Sequence, residues 1–144
     1  MIGPAHHIGV AVRQLDAALA DYRALGFELE FTEDVPAQGV RVAFLRTGGA
    51  QIELLESLAP DGVVARFVAR HGEGLHHVAF SVPDIRAEMR RLREQGLELV
   101  DEEPRPGAHG RLVAFVHPRS ARGVLLELVQ ESAGRPGAGT RQRG

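Results

Sequence analysis

Four histidines of this sequence occur as two adjacent pairs, and imidazoles are common metal ligands and proton-transfer groups. His6-His7 and His76-His77 each open a short apolar run, and the two runs lie seventy residues apart. Strand alternation places His7 and His77 on the face that carries small residues. His6 and His76 then lie on the opposite, bulky face, which packs against a helix. We therefore predict that the second histidine of each pair points into a shared cavity. The first is a packed residue or a partner of a ligand.

Two glutamates complete the candidate set, because each lies inside an apolar strand late in its half of the chain. Glu53 lies within the run Ile-Glu-Leu-Leu, and Glu127 within Leu-Leu-Glu-Leu-Val. An ionised carboxylate in a buried strand is costly unless it is paired or bound to a metal. A single such residue can simply face solvent, but here both types fall at equivalent places twice. The pattern therefore predicts one metal site, called the four-residue cluster below, made of His7, Glu53, His77 and Glu127.

The composition limits both the metal and the partners. The chain has no cysteine, which excludes thiolate ligands and disulfides, so a metal site must use histidine nitrogen and carboxylate oxygen. Such ligands suit a divalent first-row ion, and we expect Co, Mn, Zn or Ni. A net charge of -2 gives no indication of nucleic acid as a partner. No segment resembles a signal peptide and no apolar run could span a bilayer, so we expect a soluble, cytoplasmic protein.

The secondary structure predicted around these residues also occurs twice, because residues 6–30 align with residues 76–100 without a gap. A unit found only twice indicates an internal duplication about a pseudo-twofold axis rather than a solenoid. Apolar alternation and helical spacing predict the order β-α-β-β-β in each half, and hence an α+β fold of two tandem βαβββ modules. The positions that are identical in both copies of the unit are His6, His7, Val12, Ala17, Arg23, Gly26, Glu28 and Leu29.

The predicted domain organisation follows from this repeat and from the glycine- and proline-rich end of the chain. It consists of a first module at 1–60, a linker with a short helix at 61–74, a second module at 75–131 and a disordered tail at 132–144. The predicted strands are residues 6–12, 27–32, 40–45, 51–56, 75–82, 97–100, 111–116 and 124–130. The predicted helices carry Leu15 to Leu25, residues 64–70, and the stripe Ile85, Met89 and Leu92, with Asp84 as the cap of the last helix.

Several stretches of the chain resemble the vicinal oxygen chelate superfamily and, within it, the methylmalonyl-CoA epimerase family. The four-ligand pattern is shared with glyoxalase I, so it indicates only the superfamily. The loop stretches are more specific and favour the epimerases. The stretches that carry the resemblance are residues 36–40, 72–77, 101–104, 115–118 and 123–128.

The resemblance implies a fold, a site and a reaction. The fold is a cupped, barrel-like mixed sheet with helices outside, and the metal ligands are the four-residue cluster. The reaction is interconversion of (2R)- and (2S)-methylmalonyl-CoA by proton transfer through a metal-stabilised enolate, with an acyl-CoA as substrate and a homodimer as the assembly. Glu127 matches one base of the family. Some epimerases carry the second base, a further glutamate, at the position of Val42, so the resemblance does not identify the second proton-transfer group of this chain. By pseudo-symmetry with Glu127, Glu53 is the candidate.

Three other functions remain open from the sequence. A glyoxalase I-type lyase also moves a proton beside a metal, and assays on both substrates would separate it from an epimerase. A non-catalytic module that binds small molecules need not hold a metal, so a cluster of four ligands argues against it. An extradiol dioxygenase normally uses two histidines and one carboxylate, so Glu53 as a fourth ligand counts against that class.

Overall fold

The computed structural model describes residues 1–132, which form one eight-stranded mixed sheet and three α-helices. Residues 133–144, most of the predicted tail, lie outside the described residues. The helices are α1 (Leu15–Leu25), α2 (Val63–His71) and α3 (Ile85–Glu94). The strands are β1 (Ala5–Ala11), β2 (Glu28–Val35), β3 (Val40–Arg46), β4 (Gln51–Ser57), β5 (Gly74–Ser81), β6 (Arg105–Pro106), β7 (Leu112–Val116) and β8 (Leu126–Gln130).

The sheet has the strand order β2-β3-β4-β1-β5-β8-β7-β6, which reads the same way outward from its centre in both halves. The central strands β1 and β5 pair antiparallel, and each pairs in parallel with the last strand of its own half, β4 or β8. The eight strands curl into a half-barrel. The predicted α+β fold of two βαβββ units around a cupped mixed sheet is therefore confirmed, while the exact module boundaries stay a prediction.

The two faces of the sheet are separated by strand alternation, as predicted. On the outer face, Val10 of β1 and Val12, just after that strand, pack with Leu15 and Leu19 of α1. The equivalent contact in the second half joins Val82 to the buried stripe of α3. Burial of these apolar side chains stabilises each helix by about 1.5–3 kcal/mol for every fully buried large residue. The inner face is thus left free for the polar residues of each half.

The linking helix α2 packs over one end of the inner face. Its buried residues Val64 and Val68 belong to an apolar cluster with Ala11 of β1 and Leu55 of β4. Ala11 and Leu55 are register partners, and each lies on the same strand face as the residues of the cup. The helix therefore covers part of the cup, and its Phe67 contacts His76, the neighbour of His77. No helix within residues 1–132 is long and apolar enough to cross a membrane.

The helix ends match their sequence signals. The chain leaves α1 at Gly26, whose φ of 111° lies in the left-handed region that only glycine adopts without cost. Helix α3 begins at Asp84, whose carboxylate accepts the backbone N–H of Ala87 at 3.1 Å. Such a cap contributes about 1 kcal/mol to helix stability. Gly26 therefore ends α1 and Asp84 caps the start of α3, as predicted.

The edge strand of the second half differs from its prediction at 97–100. The chain there makes only a single bridge, between Leu99 and Val116, and then a two-residue strand, β6, further along. Between the two pieces the carboxylate of Asp101 accepts the backbone N–H of Phe115 at 2.8 Å and so replaces a backbone partner. The two prolines that follow lack an N–H and cannot donate to a ladder. The edge is therefore interrupted where β2 of the first half is continuous.

Candidate metal centre

The structure brings together all four residues of the predicted cluster. His7 of β1, Glu53 of β4, His77 of β5 and Glu127 of β8 come from the four central strands, and each side chain points into the cup. All four residues are buried, with exposed fractions of 3%, 6%, 4% and 3% in the same order. One possible ligand atom from each lies within 4.8 Å of all the others. Both halves thus contribute one imidazole and one carboxylate to a single point.

The distances within the cluster fit one bound ion. The Nε2 atom of His7 lies 2.9 Å from Oε1 of Glu127, 3.1 Å from Oε1 of Glu53 and 3.1 Å from Nε2 of His77. The Nε2 atom of His77 lies 3.2 and 3.1 Å from the same two oxygens, of Glu53 and Glu127 respectively. Two ligands at right angles, each about 2.1 Å from a cation, lie about 3.0 Å apart. The donor atoms therefore already have the spacing that an ion of this size requires.

The charges within the cluster are balanced by the four residues themselves. Burial alone would lower the pKa of His77, but Glu127 and Glu53 beside it raise that pKa to about 10. The pKa of His7 is raised against burial in the same way, by Glu53 first. Burial would raise the pKa of both glutamates, but the imidazoles hold it below its usual value. Within residues 1–132 no arginine lies within 4.0 Å of either carboxylate, so the histidines or a cation must supply the positive charge.

Gly9 makes the approach of the two halves possible. It pairs with Glu53 on one side and with His77 on the other, at the centre of the sheet. A Cβ atom at this position would fall on the imidazole ring of His77. The sequence predicts a roomy face here, and the structure shows that the imidazole of His77 occupies this room.

Two aromatic rings form the walls beside the cluster. Phe44 is the ladder partner of Glu53 and meets the ring of His7 edge-on, with 5.2 Å between centroids. Phe115 is the ladder partner of Glu127 and meets His77 edge-on at 5.6 Å. Each half therefore supplies one ring that excludes water from its own histidine.

The first histidine of each pair does not simply face the packed layer, because a β-bulge occurs at each pair. At His6 strand β1 advances by two residues while β5 advances by one, and the reverse happens at His76. A bulge leaves one residue without a ladder partner and re-aims its side chain. As a result Nδ1 of His6 lies 2.7 Å from Nδ1 of His7, and the equivalent distance between His76 and His77 is 3.0 Å. Of the two predicted alternatives, a packed histidine or a partner of a ligand, these contacts with His7 and His77 favour the second.

Two residues of the cup have no role in the sequence prediction. The guanidinium carbon of Arg111 lies 5.3 Å from the ring centroid of Phe44, and its Nε donates to Glu131 at 3.1 Å. Its Nη1 atom is buried and has no hydrogen-bond partner among the described residues. The sequence does contain a signal for Glu131. It follows Glu127 by four residues along the same extended segment and therefore lies on the same face. Arg111 shares a face with Phe115 for the same reason.

The position at which some epimerases carry a further glutamate is apolar. Val42 is fully buried in the apolar cluster beneath α2. Its ladder partner Glu33 lies on the same face of the sheet, and its side chain is 35% exposed. The carboxylate of Glu33 accepts the backbone N–H of His109 at 3.1 Å. Glu33 is thus a carboxylate of the cup that lies outside the four-residue cluster.

Comparisons with known proteins agree with this arrangement. The family model of the glyoxalase/bleomycin resistance protein/dioxygenase superfamily matches residues 6–115. The ethylmalonyl-CoA/methylmalonyl-CoA epimerase of Cereibacter sphaeroides is 41% identical over 133 residues, which cover 90% of this chain and 99% of that protein. The methylmalonyl-CoA epimerase of Mycobacterium tuberculosis superposes with a TM-score of 0.86 at 40% identity, over 91% of this chain and 89% of that one.

A further solved structure holds a ligand. It is a methylmalonyl-CoA epimerase in complex with methylmalonyl-CoA and NH4+, and it superposes on this chain with a TM-score of 0.88 at 38% identity. The match covers 92% of this chain and 97% of that one. The chain therefore belongs to the glyoxalase/bleomycin resistance protein/dioxygenase superfamily and, within it, to the methylmalonyl-CoA epimerase family.

Proposed function

We propose that this chain is a metal-dependent epimerase that interconverts the (2R) and (2S) forms of methylmalonyl-CoA. The observation that carries the proposal is the buried four-residue cluster, in which two imidazoles and two carboxylates from the two halves converge with ligand atoms 2.9–3.2 Å apart. The substrate is inferred from the relatives. Those that are at least 40% identical over at least 90% of the chain include proteins named as epimerases of methylmalonyl-CoA.

The proposed ligands of the divalent ion are His7, Glu53, His77 and Glu127, with Co, Mn, Zn or Ni as the ion. When bound there, the ion supplies a Lewis acid that stabilises negative charge on oxygen atoms of the substrate. The donor set supports this assignment, because buried carboxylates need a positive partner and the imidazole nitrogens already face one point. Proton transfer and substrate binding are then carried out by side chains of the protein.

Proton transfer is assigned to the two glutamates of the cluster. The α-carbon of the substrate lies between a thioester carbonyl and a carboxylate, so its proton is acidic. Inversion at this carbon requires a base on one face and an acid on the other. Glu127 and Glu53 lie on β8 and β4, on opposite sides of the central strand pair. In each of them Oε1 faces the imidazoles, so Oε2 would be the atom that takes or returns the proton.

The walls of the cup support a carboxylate-bearing substrate. Phe44 and Phe115 exclude water beside the histidines, and a drier site strengthens electrostatic interactions. Arg111 reaches across the cup to the ring of Phe44 and keeps one buried nitrogen without a partner among the described residues. An unpaired buried donor costs about 1–3 kcal/mol, and an anionic substrate group would remove that cost. We assign Arg111 to the free carboxylate oxygen of the substrate.

The experiment that tests the proposal offers two substrates to metal-loaded protein. We expect the protein to invert (2S)-methylmalonyl-CoA, which chiral separation of the products would show. We expect no turnover of the glutathione hemithioacetal that a glyoxalase I converts. Glu127→Gln is expected to abolish inversion, while the matched variant Glu33→Gln, a carboxylate of the same face outside the cluster, keeps it. Turnover of the hemithioacetal alone, or binding of the acyl-CoA without any turnover, would overturn the proposal in favour of a lyase or a binding module.

The proposed assembly is a homodimer, which the family resemblance implies. Each chain has a mass of 15.6 kDa, so sedimentation equilibrium distinguishes a monomer from a dimer. A single species with the mass of two chains supports the dimer, and a single species with the mass of one chain rejects it.

A further inference from the structure

The two proposed ligand histidines are supported differently, although they occupy equivalent places in the two halves of the chain. Each has a bulged histidine behind it, with the two Nδ1 atoms of the pair within hydrogen-bond distance. The difference lies in what the bulged histidine meets on its far side. This asymmetry rests on contacts outside the four-residue cluster.

In the first half the bulged histidine is held by a carboxylate. Nε2 of His6 lies 2.8 Å from Oε2 of Glu131, and the other oxygen of Glu131 accepts from Nε of Arg111 at 3.1 Å. The side chain of His6 is 10% exposed, while that of Glu131 is 51% exposed. A half-exposed carboxylate remains ionised at little desolvation cost, and the arginine fixes its orientation. Glu131 is therefore a permanent acceptor for His6.

In the second half the bulged histidine meets an aromatic ring instead. The ring of His76 contacts Phe67 of α2 edge-on, with 4.7 Å between centroids. Among residues 1–132 no carboxylate lies within 4.0 Å of the imidazole of His76, whereas His6 has Glu131. Nothing on this side thus determines which nitrogen of His76 carries the proton.

The carboxylate of Glu131 affects which nitrogen of His7, the proposed metal ligand, carries a hydrogen. Because Glu131 can only accept, Nε2 of His6 must donate, and Nδ1 of a neutral His6 is then an acceptor. In this tautomer of His6, the 2.7 Å contact between the two Nδ1 atoms requires that Nδ1 of His7 carries a hydrogen and donates it to His6. This leaves the Nε2 lone pair of His7 directed into the cluster, which is the form that binds a metal.

We propose that His6 and Glu131 are positioning residues that hold His7 as an Nε2 ligand, and that His76 gives His77 no comparable support. The proposal rests on the metal role of the cluster stated above. It makes the two halves of a symmetric site unequal, with the first half preorganised by a chain of three hydrogen bonds that ends at Arg111.

The test measures metal affinity rather than activity. The dissociation constant for Co(II) or Zn(II) is obtained by competition with a chromophoric chelator, and the visible spectrum of the Co(II) protein reports the ligand geometry. We expect His6→Ala to weaken binding by about 10–100-fold, the usual effect of losing such a partner. His76→Ala, at the equivalent place in the other half, is the matched control and should weaken binding less.

Two further variants keep the proposal testable if a histidine variant does not fold. His6→Asn places Oδ1 where Nδ1 was, so it can still accept from His7 and should restore most of the affinity. Glu131→Ala removes a half-exposed side chain, and we expect an affinity between those of the wild type and His6→Ala. Urea unfolding of the metal-free variants identifies losses caused by misfolding.

The outcomes separate this inference from the proposed function. If the wild-type protein binds no divalent ion, the metal role itself is wrong, and the inference falls with it. If the wild type binds the ion but His6→Ala and His76→Ala weaken binding equally, only the inference is overturned. The inference is also overturned if neither Glu131→Ala nor His6→Ala changes the affinity or the Co(II) spectrum.

Discussion

Replacing Gly9 by alanine is expected to destroy the metal site while the chain still folds. The added Cβ would lie closer than van der Waals contact to three atoms of the His77 ring, among them Nε2 at 2.6 Å. Unstrained carbon contacts begin at about 3.5 Å, so the imidazole must retreat by about 1 Å. Ligand distances tolerate only about 0.2 Å, so a displaced His77 no longer binds. The overpacked core costs about 1–3 kcal/mol of unfolding free energy.

The expected loss of affinity for the divalent ion is at least about 100-fold, or about 2.8 kcal/mol, measured by chelator competition. Gly48→Ala is the matched control, because nothing lies within 4 Å of a Cβ there and the substitution is expected to change stability by less than about 0.5 kcal/mol. Urea unfolding of both metal-free variants checks the fold. A folded Gly9→Ala protein with the affinity of the wild type would overturn this expectation, since His77 would then not be a ligand at this site.

Three further predictions concern protons and charge. Because its two glutamates raise the pKa of His77 to about 10 in the metal-free protein, metal binding at pH 7 must release protons. Calorimetry in buffers of different ionisation enthalpy should show that release, and the affinity should rise with pH; a pH-independent affinity contradicts the prediction. The raised pKa of His77 also stabilises the metal-free fold. This contribution is fully present below pH 6.5, the ordinary pKa of histidine, and is lost as the pH rises through about 10. Thermal unfolding at several pH values would show the loss. A melting temperature of the metal-free protein that rises over that range would contradict this sign. Arg111→Gln should raise the KM for methylmalonyl-CoA more than it lowers kcat. The expected rise is about 10–150-fold, for the loss of one charged hydrogen bond of about 1.5–3 kcal/mol; an unchanged KM removes Arg111 from substrate binding.

The fold and the four-residue cluster are predictable from the sequence because both follow from repetition. The seventy-residue offset identifies two like modules, and strand alternation then selects His7 and His77 as the inward members of their pairs. An isolated glutamate in an apolar strand is ambiguous, but Glu53 and Glu127 at equivalent places are not. The structure brings these four side chains to one point, as the pattern indicates.

The details that the sequence does not predict depend on contacts between distant segments. Alternation assumes a regular ladder, so it cannot anticipate that a bulge turns His6 toward His7 and His76 toward His77. The pairing of Arg111 with Glu131 joins two segments whose register is known only after β7 and β8 are placed side by side. The interrupted edge near Asp101 likewise arises from a side chain that takes the place of a backbone acceptor.

The proposed function depends on four inward side chains that hold one cation, at which the proton of an acyl-CoA becomes exchangeable. The most direct measurement is deuterium incorporation at the α-carbon of methylmalonyl-CoA in heavy water, followed by mass spectrometry with metal-loaded and with chelator-treated protein. We expect fast incorporation in the loaded wild type, none above the uncatalysed rate after the metal is removed, and recovery when a divalent ion is added back. Equal incorporation by metal-free protein, or full incorporation by Glu127→Gln, would contradict this mechanism.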